Sequence, residues 1–444
     1  MWQKYKKKNI KNTLCFFIII LIYKVTLELG FWYLLQKAYA NTNVYHFEFN
    51  YVKYLLGLFW CILLYFLIDH EERKPSTFFL QMQYVIAFIP ITVIFAFSNE
   101  NIIYYTALCF AFAVAEMLVM LVKTIHLPQI EIMTKGLVIA FYLITAVVYF
   151  DIIRENGMFT LEAVDIYAVY TLRGDFQLNK YIGYMFDWQY IIITPFFIIR
   201  AFQRRKYLTM FFFCGLQFLA YLYAAQKAIL FIIPLVLAIC ILSRLKNFGL
   251  YAYSALMSGI VVITACGGIS DIMYRLYDLL VRRVFILPAN LKFIYYDFFS
   301  QNPQIGLAGT LWGKFLEIPN PYDERIGVII SKVYFDNPVM NSNTGFLAEG
   351  YYRFGLWGIF LALLLFAFIL LMLDYSSTLN GYSFAVSIGF FAMFLLNDGG
   401  LIDPLLFGQL TVLMGVCLFY NKKYDFKIVE KHIKKKKIRQ LTVA

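Results

Sequence analysis

Arginines recur in stretches of this chain that are otherwise rich in Tyr, Phe and Leu. Arg275, Arg282 and Arg283 fall in Tyr-Arg-Leu-Tyr-Asp-Leu-Leu-Val-Arg-Arg-Val-Phe. Arg353 closes Gly-Phe-Leu-Ala-Glu-Gly-Tyr-Tyr-Arg, and Arg173 sits in Tyr-Thr-Leu-Arg-Gly-Asp. Lys227 follows Ala-Ala-Gln and opens an apolar run. A guanidinium is planar, always charged, and binds phosphate oxygens in pairs, so this set suits a diphosphate. On a regular helix Arg275 and Arg282 share a face two turns apart. Glu349, in a Gly-flanked stretch, and Asp297 are the carboxylates placed to take a proton from a hydroxyl. The bland readings stand beside these. An Arg at a helix end also anchors the helix by snorkelling or pairs with a nearby Asp, and Lys227 also reads as a helix start next to Gln226.

Absences narrow the chemistry. The chain has four His, at 46, 70, 126 and 432, and none lies between Ser270 and Arg353. That argues against acyltransferases with a His base and against His-built metal sites. The segment Gln36–Asn50 holds Glu48 alone, so the acidic pair of many lipid-phosphosugar transferases is missing there. No phosphate-cradling Gly-Lys-Ser loop exists. The seven Cys follow no metal or disulfide spacing and read as small core residues.

The elements that must position these residues are membrane helices. Apolar and aromatic residues make up 61% of 444 positions, and charged residues 15%. They cluster in runs of roughly 17–24, long enough to cross a hydrocarbon core as helix. The expected fold is all-α: a polytopic integral membrane helical bundle with about 12 transmembrane helices. The spans are expected near 13–36, 50–69, 77–97, 102–122, 136–151, 186–202, 207–224, 226–243, 250–269, 354–373, 382–397 and 402–420. The basic stretch Lys4–Lys11 leads into a full-length span without a small-residue cleavage site, so the first span is expected to remain. Lys and Arg collect in alternate short connections, including Arg73–Lys74, Arg204–Lys206 and Arg244–Lys246. The net charge of +12 is therefore a topology signal rather than a nucleic-acid surface, and both termini are expected in the cytoplasm. On the opposite side lie two long connections, about 152–185 and 270–353. The second, aromatic and punctuated by Pro and Gly, should pack as short helices. The body thus runs over 1–421, with a basic tail at 422–444 that suits an anionic leaflet. Lys24 and Glu28, four apart in the first span, should pair within it, and Glu116 reads as structural.

The run Arg282-Arg283-Val-Phe-Ile-Leu-Pro-Ala is followed by Tyr-Tyr-Asp-Phe-Phe-Ser-Gln-Asn-Pro. Further on, Gly345 to Gly358 lead into a span, and Ala225-Gln226-Lys227-Ala228 opens another. With the dominant outer loop before the last three spans, these resemble the oligosaccharide repeat-unit polymerases of the Wzy type, which build O-antigen and capsule. Sharp motifs cover only about 270–360. The related O-antigen ligases place a His-x-His-Asn segment where this chain reads Asn341-Ser-Asn-Thr-Gly345, so ligase is the weaker resemblance and no His base carries over.

The resemblance implies a glycosyltransferase of the bacterial plasma membrane. It would transfer the growing glycan from polyprenyl diphosphate to a new lipid-linked repeat unit at the outer face. Arg282, Arg275 and Arg353 would stabilise the leaving diphosphate, with Arg283, Arg173 and Lys227 as further binding residues. Glu349 or Asp297 would activate the acceptor hydroxyl. It implies no cofactor or metal, membrane lipids as surroundings, and a chain-length regulator as partner. The competing class is a flippase for the same lipid-linked oligosaccharide, although long charged outer loops and the lack of internal halves fit it less well.

Overall fold

The computed structural model describes residues 2–40, 42, 44–70, 73–122, 128, 130–159 and 176–425. Arg173 and most of the basic tail lie outside the described residues. Among those described, the chain is all-α. Its one extended feature is an isolated bridge between Glu48 and Ser98. Among the described residues nine helices are long and apolar enough to cross a membrane, and the protein is a multi-pass membrane protein by that measure. They match nine of the expected spans. The other three coincide with shorter apolar helices, Tyr51–Leu67, Lys227–Leu242 and Tyr382–Leu395. At 17 residues the first of these is about 25 Å long, just under a typical hydrocarbon core.

The first helix shows how apolar composition is divided. Phe16, Ile20, Tyr23 and Leu27 form a buried stripe. Leu14, Ile18, Ile22, Val25 and Leu29 form an exposed one. Both stripes recur every three or four residues, so one face meets protein and the other is left for lipid. Lys24 and Glu28 pair on the buried side as expected, with the Lys24 ammonium 4.4 Å from the centre of the Tyr54 ring.

The chain folds as two compact units. The first comprises 1–123, 246–370 and 393–403. Its axis is Pro75–Phe97, whose apolar window is wholly buried. The segment expected as an outer loop is largely helical here. Asp271–Tyr277, Asp278–Ile286 and Leu287–Gln301 run on without a break, and Ile326–Phe335 comes later in the same segment. The second unit comprises 124–245, 371–392 and 404–444. Its core is aromatic, with Phe197 stacked on Phe213 at 4.2 Å and Phe384 on Tyr420 at 5.2 Å. There Asp425 takes two hydrogen bonds from Arg200, at 2.8 Å each, pairs with Arg204, and accepts from the Tyr420 hydroxyl at 2.9 Å.

Three stretches wind as wide π turns that end two residues before a proline. They are Tyr84–Phe88 before Pro90, Gln189–Ile193 before Pro195, and Asp278–Ile286 before Pro288. Proline has no N–H to give the carbonyl four residues back, and its ring crowds that carbonyl. Widening the preceding turn relieves the clash.

Candidate functional site

The first unit gathers six of the eight sequence-predicted residues. Lys227 lies in the second unit, exposed, at the start of Lys227–Leu242. It belongs to a different body from the arginines with which sequence groups it.

Arg282 and Arg283 sit in the wide turn before Pro288. Arg282 is 8% exposed and holds Asp278 through Nε and Nη2, the latter at 3.1 Å. Its guanidinium lies 5.2 Å from the centre of the Tyr39 ring. Burial resists ionisation of Asp278, but the hydrogen bond and charge of Arg282 outweigh it and hold the carboxyl below its usual range. Arg283 projects outward, 3.8 Å from Asp278. Arg275 is exposed, whereas Arg282 is buried. The shared-face expectation assumes an α pitch, and the π turn from Asp278 to Ile286 changes the angle between successive side chains. The two exposed arginines remain within reach of a ligand, with Arg282 locked beneath.

Pro288 also leaves a backbone acceptor open. The Val284 carbonyl, deprived of the Pro288 N–H, accepts instead from Asn397 Nδ2 at 3.3 Å. The other side of that amide, Oδ1, receives Lys292 Nζ at 3.3 Å, and Lys292 also donates to the Pro288 carbonyl at 3.0 Å. Lys292 is 1% exposed. Burial pushes its ammonium down to about 8, with the Asp398 charge partly opposing. The unfolded chain keeps that proton up to about 10.4. Between these values the unfolded state binds more protons, so stability rises with pH there. The melting temperature of wild type relative to Lys292→Met should therefore climb from about pH 8 to about pH 10. A flat difference would mean that Lys292 is no more shielded than a surface lysine.

Glu349 and Arg353 form a second, adjoining network. Arg353 Nε donates to Glu349 at 2.9 Å, with both side chains about 5% exposed or less. Arg353 Nη1 reaches the Gly306 carbonyl at 3.0 Å, and Nη2 lies 3.7 Å from Asp403, which is half exposed. The other Glu349 oxygen accepts the backbone N–H groups of Leu401 and Ile402 at 2.5 and 3.1 Å. Glu349 is thus fully engaged. The pair is held at a break: Phe354 and Gly355 leave helical geometry, Gly355 with φ +64°, within Phe346–Asn380. The short helix before the break ends on carbonyls 352 and 353, which accept from Ile305 and Gly306 at 3.1 and 2.9 Å. Asp297 is exposed on Leu287–Gln301 and accepts from the Tyr334 hydroxyl at 2.7 Å.

Lys292, Asn397 and Asp403 are not singled out by sequence. The available signal was Asn290 and Lys292 inside the otherwise apolar run from Pro288 to Ile294. Glu116 is fully buried with neither oxygen hydrogen-bonded among the described residues. No group of three or more His, Cys, Asp or Glu among the described residues is placed to hold a metal.

Comparison of the chain with protein-family models, with curated proteins and with solved structures finds no match.

Proposed function

We propose that this protein polymerises lipid-linked oligosaccharide repeat units at the outer face of a bacterial plasma membrane. One observation carries the reading. Residues distant in sequence converge at one end of the first unit as a charged network rich in arginine. They are Arg282–Arg283, Lys292, Glu349–Arg353 and the loop 397–403. The same end receives Tyr39 and Val44, whose carbonyl accepts from Asn290 at 2.8 Å. By the charge pattern of the connections, with about twelve spans, all of these fall on the extracytoplasmic side.

In the proposed reaction a sugar hydroxyl of the incoming unit attacks the anomeric carbon of the growing chain. The new C–O bond forms as the bond to polyprenyl diphosphate breaks. The proton passes to a carboxylate and the negative charge to the leaving diphosphate. Arg283 and Arg275 are the exposed cations for that charge, and Arg282 and Arg353 set the positive field behind them. The glycosyl-diphosphate bond supplies the driving force, so no nucleotide is needed.

The test is the glycan ladder of a deletion strain carrying wild type, Arg282→Ala or Arg283→Ala. Deletion should leave lipid-linked single repeats on the outer face and no ladder. Arg282→Ala should fail to restore the ladder at normal membrane levels. Arg283→Ala, at an exposed position, should shorten it. Loss of outer-face single repeats on deletion would replace polymerisation with flipping of the same glycolipid.

A further inference from the structure

Beside the arginine network the first unit carries a second cluster of opposite character. Tyr104 and Tyr296 stack at 4.6 Å, and Tyr351 leans on both, at 5.2 and 5.0 Å. The Tyr104 hydroxyl is fully buried and has no hydrogen-bond partner among the described residues. The polar groups facing it are Tyr351, Glu100 and Tyr296. Asn101 caps the helix Ile102–Leu121, its side chain accepting from Ile103 and Tyr104 N–H, which fixes Glu100 and Tyr104 at one helix start.

The Glu100 carboxylate makes no hydrogen bond among the described residues. Lys53, the nearby cation, spends its ammonium on the backbone carbonyls of Asn99 and Glu100, at 2.8 and 2.5 Å. Burial, reinforced by the Asp297 charge and opposed by Lys53, pushes the Glu100 carboxyl up to about 8. Asp297 is exposed beside half-buried Tyr296. Near neutral pH Glu100 is thus mostly the neutral acid beside Asp297, and neither group is a cation that would hold a phosphate or an anionic headgroup. Both exchange hydrogen bonds with hydroxyls, and an aromatic face suits the C–H face of a sugar. A neutral, hydroxyl-rich ligand fits both features.

We propose that Glu100, Asp297 and the Tyr104–Tyr296–Tyr351 cluster form a saccharide subsite. One sugar ring lies on the open face of Tyr296 and exchanges hydroxyl hydrogen bonds with the two carboxyl groups. The inference rests on the glycan reading above and adds to it the place where the sugar, rather than the diphosphate, is held.

The probe is a set of oligosaccharide fragments released by mild acid from the producing strain's own surface glycan. Binding to the purified full chain in nanodiscs is read by saturation-transfer NMR. Wild type and Tyr296→Phe should bind alike, since both keep an aromatic face. Tyr296→Ala, and Glu100→Gln combined with Asp297→Asn, should weaken binding about tenfold or more. If Tyr296→Ala fails to elute as a monodisperse peak, Asp297→Asn alone, at an exposed position, decides by the same loss. Equal binding by wild type, folded Tyr296→Ala and the carboxyl variants overturns the subsite. The ladder experiment is independent of this one. A normal polymerase phenotype with variant-insensitive binding sinks the subsite alone, whereas Tyr296-dependent binding with a flippase phenotype keeps the subsite and replaces the reaction.

Discussion

Arg353→Ala should lower the thermal stability of the detergent-solubilised protein more than any surface substitution, and abolish its activity. The guanidinium is the cation beside Glu349 and also serves the Gly306 and Ala308 carbonyls, at 3.0 and 3.3 Å. Removing it leaves a buried carboxylate with two backbone donors and no counter-charge. Breaking one side of a buried pair costs about 3–5 kcal/mol. Arg353→Lys keeps the charge, but its single nitrogen replaces a fork that holds several acceptors at once, so an intermediate loss is expected. Combining Arg353→Leu with Glu349→Leu should cost less than the two single changes added together, because neither leaves the other charge stranded. Size-exclusion profiles after graded heating measure all of these. Additive losses would show that the two side chains are not coupled.

Gly358→Ala should yield little or no folded protein. A Cβ at Gly358 would lie 1.8 Å from the Gly350 carbonyl oxygen, and one at Gly350 would lie 2.4 Å from the Gly358 oxygen. Both obstacles are backbone, so no side chain can rotate away. The two glycines let the short helix that bears Glu349 and Arg353 fold back on the long apolar helix after the break. Gly136, with open space around it, is the matched control. Gly136→Ala should leave the protein's yield and melting profile unchanged. A well-folded Gly358→Ala protein would mean that the two segments can separate at little cost.

Much of this architecture is legible in the sequence, because lipid makes the rules for spans strict. Among the described residues apolar runs locate nine helices long enough to cross, and shorter apolar helices stand at the other three expected positions. The Lys24–Glu28 pair and the helical character of the segment after Ser270 follow from spacing and composition. The site is less legible. Regular α geometry assigns Arg275 and Arg282 one face, whereas Pro288 dictates a wider turn, and that proline is visible as punctuation but not as a change of pitch. Lys292 and Asn397 are hidden because one lies in an apolar run and the other at the end of a span. Their partnership spans 105 residues and depends on a carbonyl that Pro288 leaves open. Glu349 reads from sequence as a free carboxylate. Its engagement by Leu401 and Ile402 depends on a chain crossing that no local pattern encodes.

That crossing also sets a timetable. The backbone donors for Glu349 lie 52 and 53 residues further along the chain. At roughly 5–20 residues per second, synthesis reaches them about 3–10 s after Glu349 itself is made. During that interval Arg353 is, among the described residues, the only one of its final hydrogen-bonding donors already present. The short helix must therefore wait beside the membrane with its carboxylate incompletely satisfied, until the connection at 397–403 arrives and closes it. Chains stopped before Leu401 would lack this closure.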